Sequence, residues 1–187
     1  MTDVSLIAKL FDETVIRCLI SGGVIVARTD TLYGVLARAD DPDAVDKVYL
    51  AKGRSPEKSP IVLVAETSQI YDSPSDEVYK LMQDNWPGKV SIIVPSNTAP
   101  TWLRRDNNSV AYRLPDDEDL RGLIRSTGPL IAPSANPQGS TPAMNINQAI
   151  KYFGESVDIY VDGGEVSDVQ PSRLLRVNDY GEVERLR

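Results

Sequence analysis

Short apolar runs alternate along this chain with segments whose apolar residues recur at helical spacing, and that alternation constrains the fold more than any other feature. It calls for an α/β layering of helices on a sheet, not a helical bundle or a β-sandwich. Leu6, Ile7, Leu10, Phe11, Ile16, Leu19 and Ile20 recur at near-helical spacing, which predicts a helix over 6–20 stopped by Ser21-Gly22-Gly23. Val24-Ile25-Val26-Ala27 then reads as a buried strand. Asp40 or Asp41 before Pro42 supplies a cap and a first-turn proline for a helix running through Val45, Val48 and Tyr49 to Gly53. Further strands are expected at 61–65, 90–94, 110–114, 130–132, 159–161 and 174–177, with a closing segment at 183–186. Helices are expected over 75–83, 117–126 and 146–153. The stretches 71–76 and 95–108 are polar, contain proline and asparagine, and read as surface loops. Asn178-Asp179-Tyr180-Gly181 is a hairpin-type turn between the last two strands, so the sheet is not purely parallel. The expected architecture is a twisted, mixed β-sheet flanked by helices.

A chain of 187 residues fits one domain, able to bury about two thirds of its extended-chain surface. No apolar run approaches the ~20 residues that span a bilayer. Met1-Thr2-Asp3-Val4 is acidic and carries no signal-peptide pattern, and one cysteine, Cys18, cannot build an internal disulfide framework; both point to the cytoplasm. Twenty Lys and Arg against 27 Asp and Glu leave a net charge of −7, which lacks the footprint of a stand-alone nucleic-acid binder. Any nucleic-acid contact is therefore weak or delegated to a partner. The chain has no histidine, which excludes a Ser-His-Asp triad, a Cys-His pair, histidine zinc sites and a histidine general base.

Three polar segments offer chemistry instead. Thr29-Asp30-Thr31-Leu32-Tyr33-Gly34 puts hydroxyls at the carboxyl edge of a buried strand, where open α/β sheets bind ligands, although a capped strand-to-helix turn reads the same way. Lys52-Gly53-Arg54 sets two cations at a helix C-terminus, where the helix dipole alone would favour them. Pro133-Ser134-Ala135-Asn136 presents a hydroxyl and an amide on a loop held by prolines, as would an ordinary proline-rich turn. Together they suit an anionic, oxygen-rich ligand better than covalent attack. Arg113 interrupts the apolar strand Val110-Ala111-Tyr112-Arg113-Leu114; it either faces outward or is buried against an anion. Neither a Walker loop nor a GxGxxG turn is present.

The order and spacing of these segments, with Trp86-Pro87-Gly88, Arg113-Leu114-Pro115 and Pro171-Ser172, resemble the YrdC/TsaC family of L-threonylcarbamoyladenylate synthases over about residues 22–172. The lack of an additional C-terminal domain is similar to the short bacterial branch. Departures are Arg28 where the family usually has Pro, Ser55 for Pro, Arg173 for Thr, and Leu63 at a position that is His in the longer branch.

The resemblance implies a YrdC-like fold and a reaction of L-threonine, bicarbonate or CO2, and ATP that gives threonylcarbamoyl-AMP and pyrophosphate. A separate transferase complex would use that product to modify tRNA adenosine. By the same resemblance Thr31, Arg113 and Ser172 hold threonine. Lys52, Arg54, Lys58, Ser109, Ser134 and Asn136 face ATP, joined by Arg187 as the match to a late arginine, and Lys52, Arg54, Ser134 and Asn136 carry the catalysis. A Mg²⁺ ion accompanies ATP, held mostly by phosphate and water. The alternatives are a YciO-like relative without this activity, a non-catalytic RNA-binding module, and a carbamoyl-adenylate-forming domain like that of hydrogenase maturation proteins.

Overall fold

The computed structural model describes residues 4–167 and 170–187; Met1 to Asp3, part of the acidic amino-terminal segment, lie outside them. The strands are β1 (Ser5–Ile7), β2 (Ile25–Arg28), β3 (Tyr33–Arg38), β4 (Ile61–Leu63), β5 (Val90–Pro95), β6 (Ser109–Arg113), β7 (Leu130–Ile131), β8 (Ile159–Val161), β9 (Arg173–Val177) and β10 (Val183–Arg185). The helices are α1 (Glu13–Ile20), α2 (Pro42–Lys52), α3 (Asp76–Asn85), α4 (Thr101–Arg104), α5 (Glu118–Thr127) and α6 (Ile146–Phe153). Asp12, Asp41, Ser75, Asp117 and Asn145 each accept a first-turn amide proton, capping α1, α2, α3, α5 and α6. Each such cap contributes about 1 kcal/mol.

The ten strands among the described residues join one sheet in the order β1-β8-β2-β3-β7-β4-β6-β5-β9-β10. Parallel pairs (β1 and β2 on β8, β4 on β6, β5 on β9) mix with antiparallel ones, as the closing hairpin required. Side chains alternate across the sheet, so the strands from β8 to β4 feed two cores. Val26, Val35, Val62, Tyr112 and Ile92 face one side, where α2, α3 and α6 pack through Val48, Met82 and Phe153. Ile25, Leu36, Leu63 and Leu130 face the other, against Val15 and Leu19 of α1 and Leu120, Leu123 and Ile124 of α5.

Two expectations are corrected, and one alternative reading is excluded. Leu6 and Ile7 do not start the first helix: they lie in β1 beside β8, and α1 begins at Glu13, where Asp12 caps it. Apolar pairs in a short run satisfy either period. Thr29-Asp30-Thr31 does not lead into a helix; it is the tip of a β2–β3 hairpin whose last register pair is Arg28 with Tyr33. The 95–108 segment contains a helical turn, α4, with Leu103 buried and Trp102 Nε1 donating to the Ala39 carbonyl at 2.9 Å.

Candidate active site

Helices α1 and α5 cover their face of the sheet over β8, β2, β3, β7 and β4, but not farther. From Ile61 of β4 onward the same face carries Ala111, Arg113, Ile93 and Leu174 into the floor of a cavity of about 620 Å³, which Ile61 also lines. Its rim comes from the β2–β3 hairpin tip, the residues after α2, the segment after β7, and 171–187. The charged residues lining it, among those described, are Arg54, Arg113 and Arg187; no Asp or Glu lines it. In a chain of net charge −7, that is a concentrated positive field in a low-dielectric cleft, suited to an anionic ligand.

A directed chain of hydrogen bonds orders the hairpin tip. Thr29 Oγ1 donates to the Leu32 carbonyl at 2.8 Å, which uses its proton. Thr31 Oγ1, 3.1 Å away, must therefore donate to Thr29 and keep its lone pairs for the Arg113 Nη1, which donates to it at 3.0 Å. Arg113 Nη2 lies 3.1 Å from Asp30 Oδ1, and both side chains are at least 95% buried. That contact is charge against charge: it is not aligned as a hydrogen bond, and Arg113 Nε has no partner either. Burial pushes the Asp30 carboxyl up while Arg113 pulls it down; burial likewise pulls the Arg113 guanidinium down against Asp30. The buried alternative for Arg113 is thus the one found, and Asp30 is its anion. Sequence reasoning named the need for such a partner without naming Asp30.

Lys52 does not point into the cavity. Its ammonium is buried at the end of α2 and donates to the main-chain carbonyls of Ser134 and Asn136, the latter at 2.5 Å. The Lys52 carbonyl accepts the Gln138 amide at 2.8 Å, and Gln138 Oε1 accepts the Ser55 amide at 2.8 Å, so the loop after β7 is fastened to the end of α2. Burial, with Arg54 nearby, pulls the Lys52 ammonium down to about 8. On its other side the same loop pairs with β3, through Val35 to Pro133 and Ala135 to Tyr33. Gly34 bridges to Ser134 there; a β-carbon on Gly34 would come within 3.2 Å of a Leu36 methyl and 3.5 Å of the Pro133 carbonyl. Ser134 Oγ lines the cavity and donates to Asn136 Oδ1 at 2.6 Å. Asn136 Nδ2 donates to the Pro137 and Ser140 carbonyls, so this amide braces the loop and is not in the cavity lining.

Arg54 is in the lining, its Nη2 donating to the Ser59 carbonyl at 3.1 Å and its guanidinium 5.5 Å from the Tyr49 ring. Arg105 stacks on that ring at 4.2 Å, and Tyr49 Oη donates to the Lys58 carbonyl at 2.5 Å. The Lys58 side chain is exposed and outside the lining, whereas Ser109 is within it. At the far wall Ser172 is buried, sharing a 2.8 Å hydrogen bond with Ser91, and accepts from Arg187 Nη2 at 3.2 Å. Arg187 therefore folds back over the cavity, and burial pulls its guanidinium down.

Of the residues predicted from sequence, Thr31, Arg54, Ser109, Arg113, Ser134, Ser172 and Arg187 share one cavity wall. Lys52, Lys58 and Asn136 stand behind or beside it. Ser59 and Asn107 also line it and were missed; both sit where the sequence shows only polar loop. Among the described residues no three His, Cys, Asp or Glu side chains converge on a metal-sized site. This donor set does not fit a metal caged by protein.

The Sua5/YciO/YrdC family model, described as telomere recombination, matches residues 17–187. A threonylcarbamoyl-AMP synthase from Marinobacter nauticus is 32% identical over 167 residues, 86% of this chain and 88% of that protein. The P. abyssi Sua5 structure complexed with L-threonine superposes with a TM-score of 0.87 at 26% identity, covering the whole chain, which spans 57% of that protein. E. coli YciO shares the fold at a TM-score of 0.84 and 19% identity, over 100% of this chain and 95% of that one. With a family match over nearly its whole length, the chain belongs to the Sua5/YciO/YrdC family.

Proposed function

We propose that this protein is an L-threonylcarbamoyladenylate synthase, joining L-threonine, bicarbonate or CO2, and ATP into threonylcarbamoyl-AMP with release of pyrophosphate. The observation that carries the reading is the cavity wall: three arginines interleaved with hydroxyls and no acidic side chain, matched to a substrate set of carboxylate, carbamate and triphosphate. Family membership and the L-threonine named for the P. abyssi relative agree with it.

In this reading the threonine carboxylate meets Arg113, with Thr31 and Ser172 beside it. The threonine amine forms a C–N bond to CO2 and loses a proton, giving a carbamate. A carbamate oxygen then attacks the α-phosphorus of ATP, the bond to the β-phosphate oxygen breaks, and pyrophosphate leaves. Arg54, Ser109, Ser134 and Arg187 face the phosphates and stabilise charge that builds in the transition state. Lys52 and Asn136 act through the loop that presents Ser134; Lys58 joins them only by moving. A walled cavity also shields a carbamate that water would destroy. No step needs a protein nucleophile or histidine.

Mg²⁺ would enter bound to the triphosphate, where it neutralises phosphate charge; no step above passes through it. We assign the chain, as one domain, to the cytoplasm, where ATP and tRNA are; no helix among the described residues is long and apolar enough to cross a membrane. A transferase complex takes the adenylate to tRNA, and with a net charge of −7 the synthase's own tRNA contact is weak or indirect.

The test is pyrophosphate release from ATP with Mg²⁺ and bicarbonate, comparing L-threonine, L-serine and no amino acid. Release that depends on both threonine and bicarbonate supports the synthase. None under any condition moves the chain to a YciO-like relative without this activity.

A further inference from the structure

We propose that Asp30 is a positioning residue: it fixes the pose of the Arg113 guanidinium from behind, so that Arg113 grips the carboxylate of the amino-acid substrate, while Asp30 itself never touches that substrate. The inference rests on the synthase reading of the cavity.

Asp30 is absent from the lining of the arginine-walled cavity. It lines instead a second cavity of about 660 Å³ on the other side of the hairpin tip, together with Arg28, Asp117 and Asp162. Arg113 therefore separates Asp30 from the bound substrate. Two of the three guanidinium nitrogens are engaged by the hairpin tip, Nη2 by Asp30 at 3.1 Å and Nη1 by Thr31 at 3.0 Å. Only Nε is left without a partner. Held at two corners, the guanidinium plane cannot turn about its long axis, and its orientation is set before a ligand arrives.

The pair is a poor device for stability alone. Both groups lose their water, the contact is not aligned as a hydrogen bond, and Asp30 Oδ2 gains just one long amide bond, from Asp116 at 3.3 Å. Buried ion pairs of this quality add little to folding and can be replaced by apolar groups without loss. Their effect is on the geometry and charge of what they hold. Asp30 also offsets the Arg113 charge, which makes that end of the cavity suited to a net-neutral zwitterion and leaves the triphosphate to the Arg54 end.

The experiment is calorimetric titration of the purified full chain with L-threonine and, separately, with L-threonine methyl ester, for the wild type and Asp30→Asn. The expected result is that Asp30→Asn weakens threonine binding about 10-fold or more while ester binding stays within about 2-fold of wild type, since the ester lacks the carboxylate through which Arg113 acts. Threonine affinity unchanged by Asp30→Asn, or threonine and ester weakened equally, overturns the proposal and makes Asp30 structural. Failure of the wild type to bind threonine also overturns it. Threonine binding without pyrophosphate release sinks the synthase reading alone, and the comparison of the two ligands still decides the role of Asp30. If Asp30→Asn does not fold, nitrogen-15 spectra of the wild-type Arg113 guanidinium, identified by its loss in Arg113→Lys, take its place. Separate, slowly exchanging Nη signals without ligand support a pre-set pose, and one averaged signal overturns it.

Discussion

The ammonium of Lys52 lies 2.5 Å from the main-chain carbonyl of Asn136, 84 residues later in the chain, so a cation at the end of α2 holds a loop and not a ligand. Lys52→Met keeps the apolar stem and strips two buried carbonyls of their donor. The expected outcome is a stability loss of roughly 3 kcal/mol, from two charge-assisted hydrogen bonds worth about 1.5 kcal/mol each, and pyrophosphate release at least ~100-fold slower. Urea midpoints and a pyrophosphate assay check the two parts.

The same lysine gives a pH signature. Its folded-state value of about 8 lies below the ordinary 10.5, so between those limits the unfolded chain binds a proton that the folded chain does not. Stability therefore rises with pH across that window, and the cost of burying the charge is fully present below it. The stability difference between wild type and Lys52→Met should grow in favour of the wild type from pH 7 to pH 10. A constant difference in urea midpoints over that range would contradict the assignment.

Arg54 and Asn136 separate a direct role from an indirect one. Arg54→Ala removes a half-buried cation from the wall; adenylate formation is expected to vanish, with stability within about 1 kcal/mol of wild type. Asn136→Ala frees Ser134 Oγ and two loop carbonyls, and is expected to abolish adenylate formation with the fold intact. Circular dichroism beside the activity assay tests both; full activity in Arg54→Ala removes Arg54 from the site, and full activity in Asn136→Ala removes the need for its brace on the Ser134 loop.

Thr31 is the acceptor between Arg113 and Thr29. Thr31→Val deletes the acceptor at nearly constant volume, so the KM for threonine should rise about 10-fold with kcat and the KM for ATP little changed. Thr31→Ser, which keeps the hydroxyl, should restore most of the loss.

Much of this arrangement was legible in the residues, and the exceptions have physical causes. Helices α2, α5 and α6 announced themselves because each pairs a side-chain cap with an apolar stripe, as Asp41, Asp117 and Asn145 show. Strand β3 was missed because Gly34, the residue that lets the loop after β7 approach, is a poor strand former by itself. The Thr29-Asp30-Thr31 turn was seen as a place for hydroxyls, but its partners lie on β6, and no local pattern says which strand will lie opposite. For Lys52 the last-turn position was correct and the destination unreadable, since the side chain crosses to a loop more than 80 residues away. Likewise a buried arginine demanded an anion, and only the register of the sheet made that anion Asp30.

The order of the strands governs how the molecule can be made. The middle of β2 pairs with β8, about 130 residues downstream, and β5 waits for β9. At ribosomal rates of about 5–20 residues per second, the edge of β2 that faces away from β3 stays open for roughly 7 to 26 s before its parallel neighbour is synthesised. Ser172, Leu174 and Arg187 follow the other lining residues in sequence, so a nascent chain cannot close the cavity before they emerge. The half-made protein thus offers a chaperone the open edge of an apolar hairpin, and it offers ATP no finished pocket.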